Sequence, residues 1–142
     1  MLAVILMSQT MNAATSLKCR TLIVEDDRDS CDALATMVRR IGHEVECVET
    51  AGAALVKLEE WQPHCVLLDL MLPDAQGGLI LRRIRTSNMH TRVALITAAG
   101  TESLVLKHAA AYNPDAVFLK PLDHRQLREW LDSVTDRTPE LA

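Results

Sequence analysis

The sequence predicts a doubly wound α/β domain: a five-stranded parallel sheet in the order 2-1-3-4-5 with five helices. Three observations predict it. Short aliphatic runs alternate with helix-period segments from Cys19 onward. The third, fourth and fifth runs lack polar alternation, as expected for parallel strands covered on both faces. The chain, at 142 residues, is long enough to bury one sizeable core. Right-handed crossovers restrict the topology, and 2-1-3-4-5 is a common order at this size.

The strands are expected at Thr21–Val24, Val45–Val48, Cys65–Leu68, Val93–Ile96 and Ala116–Leu119. Each is too short for a helix, and several are rich in β-branched residues. Between the first two, residues 28–41 place Cys31, Leu34, Ala35, Val38 and Ile41 on one stripe, with Gly42 suited to follow the last turn. Residues 51–61 gather Ala54, Leu55 and Leu58 before Pro63 ends the segment. Residues 78–86 and 101–111 supply a third and a fourth helix. In the fifth, Leu127, Trp130, Leu131 and Val134 repeat at helical spacing, and Asp123 is placed to cap the start. Residues 1–18 read as an N-terminal extension, 19–136 as the domain and 137–142 as a tail.

Composition excludes several classes. Hydrophobic residues make up 49% and charged residues 24%, ordinary for a globular protein, and only 3% are aromatic, so aliphatic side chains must fill the core. A net charge of −4 gives no footprint for nucleic acid. The apolar start, Met1 to Met7, is too short for a membrane span and has no basic region ahead of it, so a cytoplasmic location is expected. Cys19, Cys31, Cys47 and Cys65 show no C-x-x-C spacing, and no nearby histidine pattern completes a zinc site. They are expected to be buried, reduced side chains. His43, His64, His90, His108 and His124 are scattered and read as surface or loop residues; Arg82, Arg83 and Arg85 read mainly as solvated helix charges.

In such a sheet, ligands bind outside the carboxyl ends of the strands, near the switch in strand order. Strand 1 runs into Glu25-Asp26-Asp27, strand 3 into Asp69, strand 4 into Thr97-Ala98 and strand 5 into Lys120-Pro121. One acid at a strand end is usually a cap or a loop residue, but complementary groups at four ends point to a site. Clustered carboxylates repel one another, and desolvation raises the cost of keeping them ionised. A hard divalent cation relieves that cost, and magnesium suits an all-oxygen set; the lack of His or Cys argues against zinc or copper there. Lys120 then makes sense as the partner of an anion. A phosphoryl group on Asp69, the nucleophile, would meet the cation on one side and Lys120 on the other, with Thr97 Oγ1 and backbone N–H groups around Ala98 as donors.

Those segments, Leu22-Ile-Val-Glu-Asp-Asp27, Val66-Leu-Leu-Asp-Leu-Met-Leu-Pro-Asp74, Leu95-Ile-Thr-Ala98 and Phe118-Leu-Lys-Pro121, resemble the motifs of CheY-like response-regulator receiver domains of two-component signalling. The resemblance covers residues 20–135. It implies a flavodoxin-like fold and a receiver in single-domain form. Glu25, Asp26, Asp69 and the Met71 backbone carbonyl would hold Mg2+, and Asp69 would be the phosphoacceptor. Thr97 would be the switch hydroxyl, Lys120 the phosphoryl partner, Pro121 would follow a cis peptide, and Gly77 would match a loop glycine, although a flexible turn explains Gly77-Gly78 equally well. A sensor histidine kinase or His phosphotransfer protein would be the donor and another protein the target, with homodimerisation left open and no turnover of a substrate.

The sequence departs from the family three residues before the lysine, where receivers carry Tyr or Phe whose ring moves inward on switching. Here that residue is Val117, and alternation points Phe118 to the other face. Any output change is therefore expected to use Thr97 and residues 98–111 without a ring flip. Two positions that bear on phosphoryl lifetime are Met71 and Ala99, neither able to orient a water, so self-dephosphorylation is expected to be slow. A phosphatase of the haloacid-dehalogenase type would need an Asp at position 71. A pseudo-receiver scaffold, never phosphorylated, is the remaining alternative, with Val117 its main support.

Overall fold

The computed structural model describes residues 18–87, 89–98, 100 and 103–141. Expectations for residues 1–17, for Ala99 and for residues 101–102 at the start of the fourth helix lie outside these.

Among the described residues the chain alternates strand and helix: β1 (Arg20–Val24), α1 (Arg28–Arg40), β2 (Glu44–Val48), α2 (Ala51–Trp61), β3 (Cys65–Asp69), α3 (Gly78–Thr86), β4 (Arg92–Thr97), α4 (Leu104–Ala110), β5 (Ala116–Leu119) and α5 (His124–Arg137). The sheet is parallel throughout in the order β2-β1-β3-β4-β5, as predicted. No helix among the described residues is long and apolar enough to cross a membrane.

Alternation along the strands divides the core into two layers. Leu22, Val24, Val66, Leu68, Val93 and Leu95 face one way, onto Leu58 of α2, Ile80, Leu81 and Ile84 of α3 and Leu106 of α4. Ile23, Cys65, Leu67, Ala94 and Ile96 face the other, onto Cys31, Leu34, Ala35 and Val38 of α1 and Leu127, Leu131 and Val134 of α5. β3 is buried along its whole length. β5 corrects an expectation: it is an edge strand, and its two alternate residues Val117 and Leu119 are exposed.

Local signals place the helix ends. The Asp27 carboxylate accepts from Ser30 N at 3.1 Å to start α1, and Gly42, at φ +98°, turns the chain after it. Asp123 accepts from Arg125 N at 2.9 Å and Gln126 N at 3.3 Å to start α5. Lys120–Pro121 is cis. α4 is shorter than the predicted 101–111, starting after Ser103 and ending at Ala110. Two assignments fall to packing that spacing could not show. Arg85 is not a solvated charge: its guanidinium donates to the carbonyls of Thr91, Tyr112 and Asn113 and pairs with Asp115 at 2.9 Å, tying α3 to the turn before β5. Cys47 is exposed, unlike the other three cysteines.

Candidate functional site

The sheet order brings the ends of β1, β3, β4 and β5 to one rim. Glu25 directly follows β1, and Asp69 is the last residue of β3, the neighbouring strand. Both are buried, at 4% and 7% exposure, while Asp26 faces solvent. Carboxylate oxygens of Glu25, Asp26 and Asp69 lie within 4.8 Å of one another. Lys120, one residue beyond β5, reaches across with Nζ 3.1 Å from Asp69 Oδ2 and 3.4 Å from Glu25 Oε2. Its own backbone N–H donates to the Thr97 carbonyl at 2.9 Å, which locks the end of β5 to the end of β4. Thr97 is wholly buried at that end, and Ala98 beyond it is exposed. The acidic pair, Asp69, Thr97 and Lys120 thus stand together at one rim.

Electrostatics follow from this crowding. Burial, and then the Asp69 carboxylate beside it, push Glu25 up to about 7, with Lys120 only partly offsetting them. Burial pulls Lys120 down, but Asp69 and Glu25 together outweigh it and raise the ammonium above its ordinary value. Two acids next to one ammonium leave uncompensated negative charge in a poorly solvated place. All the donors there are oxygens, so the residues present fit a hard divalent cation.

The loop after β3 is held by backbone. Met71 N donates to Asp69 Oδ1 at 2.9 Å, aiming one acceptor oxygen back along the loop. Gly77 N donates to the Leu70 carbonyl at 2.7 Å, and a Cβ on Gly77 would collide with the Asp69 carbonyl oxygen. Close approach therefore requires glycine at 77, which decides against a merely flexible turn. The Met71 side chain is exposed.

Two acids do work that spacing did not reveal. Asp27, grouped with the strand-end acids, caps α1. Asp74 accepts from Ala51 N at 2.8 Å and Gly52 N at 3.0 Å, so the loop after Asp69 is pinned to the start of α2, and those donors hold its carboxyl below the usual range. An acid in a turn after a proline carries no signal of so distant a partner. At position 117 the expected alternation holds: Val117 is 43% exposed, while Phe118 packs against Trp130 of α5, ring centroids 6.4 Å apart.

The sequence profile of the response regulator receiver domain matches residues 21–132. This chain belongs to the receiver domain family. Among curated relatives, this receiver is 29% identical over 126 residues to the regulatory protein VanRB of Enterococcus faecalis, covering 89% of the present chain and 56% of that one. It is 38% identical over 84 residues to the transcriptional regulatory protein CutR of Streptomyces coelicolor, covering 59% and 39%. The chain thus spans little more than half, or less, of these relatives' own lengths. Among solved structures, a CheY-like receiver domain protein from Methanospirillum hungatei superposes with a TM-score of 0.78 at 28% identity, covering 87% of this chain and 98% of the other. The signal receiver domain of a LuxO-type repressor from Vibrio parahaemolyticus gives 0.78 at 26% identity, covering 85% and 92%.

Proposed function

We propose that this receiver accepts a phosphoryl group on Asp69 from a phosphohistidine donor and thereby changes its binding to a partner protein. The observation that carries the reading is the convergence of Glu25, Asp26, Asp69 and Lys120, with Lys120 Nζ 3.1 Å from the acceptor carboxylate. A carboxylate oxygen of Asp69 attacks phosphorus, the P–N bond to the donor imidazole breaks, and the imidazole keeps the electron pair. Glu25, Asp26, Asp69 and the Met71 backbone carbonyl would hold Mg2+, which supplies charge neutralisation for the incoming phosphoryl oxygens. Lys120 exchanges its contact with Asp69 for one with the phosphoryl group. Thr97 Oγ1 and the Ala98 N–H donate to the remaining oxygens, drawing the start of the 98–111 segment toward the rim. Met71 offers no hydrogen bond to orient an attacking water, so the acyl phosphate decays slowly unless a partner removes it.

The donor is a sensor histidine kinase or a His phosphotransfer protein, and the target is a second protein. Incubating the chain with acetyl phosphate and magnesium, then measuring intact mass, tests the reading. Wild type should gain one phosphoryl group, and Asp69→Asn none. Equal labelling of both proteins, or labelling of neither, rejects it; an unlabelled but folded wild type would favour the pseudo-receiver scaffold to which Val117 lends support.

A further inference from the structure

At the opposite end of the sheet from Asp69, three side chains that phosphoryl transfer does not use come together. Cys19 precedes β1, His43 precedes β2 and Cys65 opens β3. The register places them: Arg20 pairs with Glu44, Thr21 pairs with Cys65, and Glu44 N donates to the Cys19 carbonyl at 2.9 Å. Alternation sends Cys19 and Cys65 to the layer under α1 and α5. Cys19, His43 and Cys65 are 4%, 8% and 0% exposed. Two sulfurs and one imidazole nitrogen, a single atom from each residue, lie within 4.8 Å of one another.

The surroundings orient these atoms. Thr21 Oγ1 stands 2.8 Å from His43 Nδ1 and 3.1 Å from Cys65 Sγ, so the hydroxyl bridges the ring and that sulfur, and a metal bound through Nδ1 takes the hydroxyl's place on the ring. Thr135 Oγ1, from α5, stands 3.3 Å from Nε2. A histidine that binds metal through one nitrogen usually has the other fixed by a hydrogen-bonding partner in this way. A cavity of about 420 Å³, lined by Cys19, His43, Asp132, Thr135 and Asp136 among others, adjoins the cluster and admits water.

We propose that Cys19, His43 and Cys65 bind a thiophilic divalent cation, zinc by its chemistry, with a water from the adjoining cavity as fourth ligand. Two thiolates and an imidazole are a soft donor set that selects zinc over magnesium or calcium. Zinc sits about 2.3 Å from sulfur and about 2.0–2.1 Å from nitrogen, so its ligand atoms stand somewhat under about 4 Å apart. Small side-chain rotations close that gap. On binding, each thiol still protonated gives its proton to solvent. A disulfide suits the same pair poorly. Cys65 lies opposite Thr21, two residues along from Cys19. Strand spacing and rise then put their Cα atoms about 8 Å apart, outside the disulfide range of about 4.4–6.8 Å.

Cobalt is the probe. The reduced, metal-free full chain is titrated with Co2+, which is then displaced by Zn2+ in competition with a chromogenic chelator. One equivalent should bind with thiolate-to-cobalt charge-transfer absorption and the strong visible bands of a tetrahedral site. Cys19→Ser, Cys65→Ser and His43→Gln should each weaken zinc binding by more than roughly a hundredfold, since outer partners alone are worth about 10–100-fold. Cys47→Ser should leave it unchanged. Absence of the charge-transfer band, or binding that survives Cys19→Ser and Cys65→Ser, overturns the site, as does binding that disappears with Cys47→Ser. Because a core variant can fail to fold, the band's intensity in the wild-type chain decides by itself: two thiolates support the site, one or none sinks it.

Discussion

Glu25 illustrates how one residue's cost at the rim becomes a property that can be measured. Its carboxyl is raised from 4.5 to about 7 by burial and by Asp69. The folded state therefore holds a proton that the unfolded state has already released between those values, and stability falls as pH rises through that window. In metal-free protein, Glu25→Gln should raise the melting temperature at pH above about 7 relative to wild type, and the gap should close as pH falls toward 4.5. Added magnesium should shrink the gap by stabilising wild type more than the variant, which keeps Asp26 and Asp69 but lacks the third carboxylate. Thermal melts across pH, with and without magnesium, check both parts; a gap that grows on acidification would show that Glu25 is not strained. The strand-end acids, Lys120 and Thr97 were legible in the sequence because each directly follows or ends an aliphatic run. Asp27 and Asp74 were not, since a cap and a pin to a distant helix depend on where the chain returns. His43 was misread for the same reason. It is a buried residue beside two cysteines, and its partners lie 24 residues before it and 22 after.

At the scale of elements, strand existence and order followed from run length and right-handed crossovers, and the observed strands differ from the predicted ones by a residue or so at their ends. What did not follow was coverage. Ala116–Leu119 has the same apolar look as the inner strands, but edge position, a property of the whole sheet, leaves Val117 and Leu119 in solvent. The loop between β3 and α3 was legible only as glycine-containing. Its structure shows why glycine is needed: the backbone at 77 passes over the Asp69 carbonyl with no room for a Cβ. Gly77→Ala should cost roughly 1–3 kcal/mol, the usual range for forced overpacking, and should also slow phosphorylation by displacing Asp69. Chemical denaturation measures the first effect and the acetyl phosphate reaction rate the second. An unchanged denaturation midpoint would mean that the loop relaxes freely.

For the whole molecule, the two layers on either side of the sheet separate the rim's chemistry from the aromatic pair. Phe118 and Trp130 pack under the α1–α5 side, while Val117 faces the other way. Signal transmission through residue 117 thus has no ring to move. Phosphorylation should leave Trp130 emission unchanged in a Trp61→Phe background, while amide resonances of 103–110 shift. A large Trp130 change would place the switch on the Phe118 side after all. Switching in this receiver depends on Asp69 becoming an acyl phosphate. Borohydride trapping after reaction with a small phosphodonor and magnesium, followed by peptide mapping, tests that most directly. One reduced residue, homoserine at position 69, is expected, and a chelator should abolish it; reduction at any other residue, or none in folded protein, would contradict phosphorylation of Asp69.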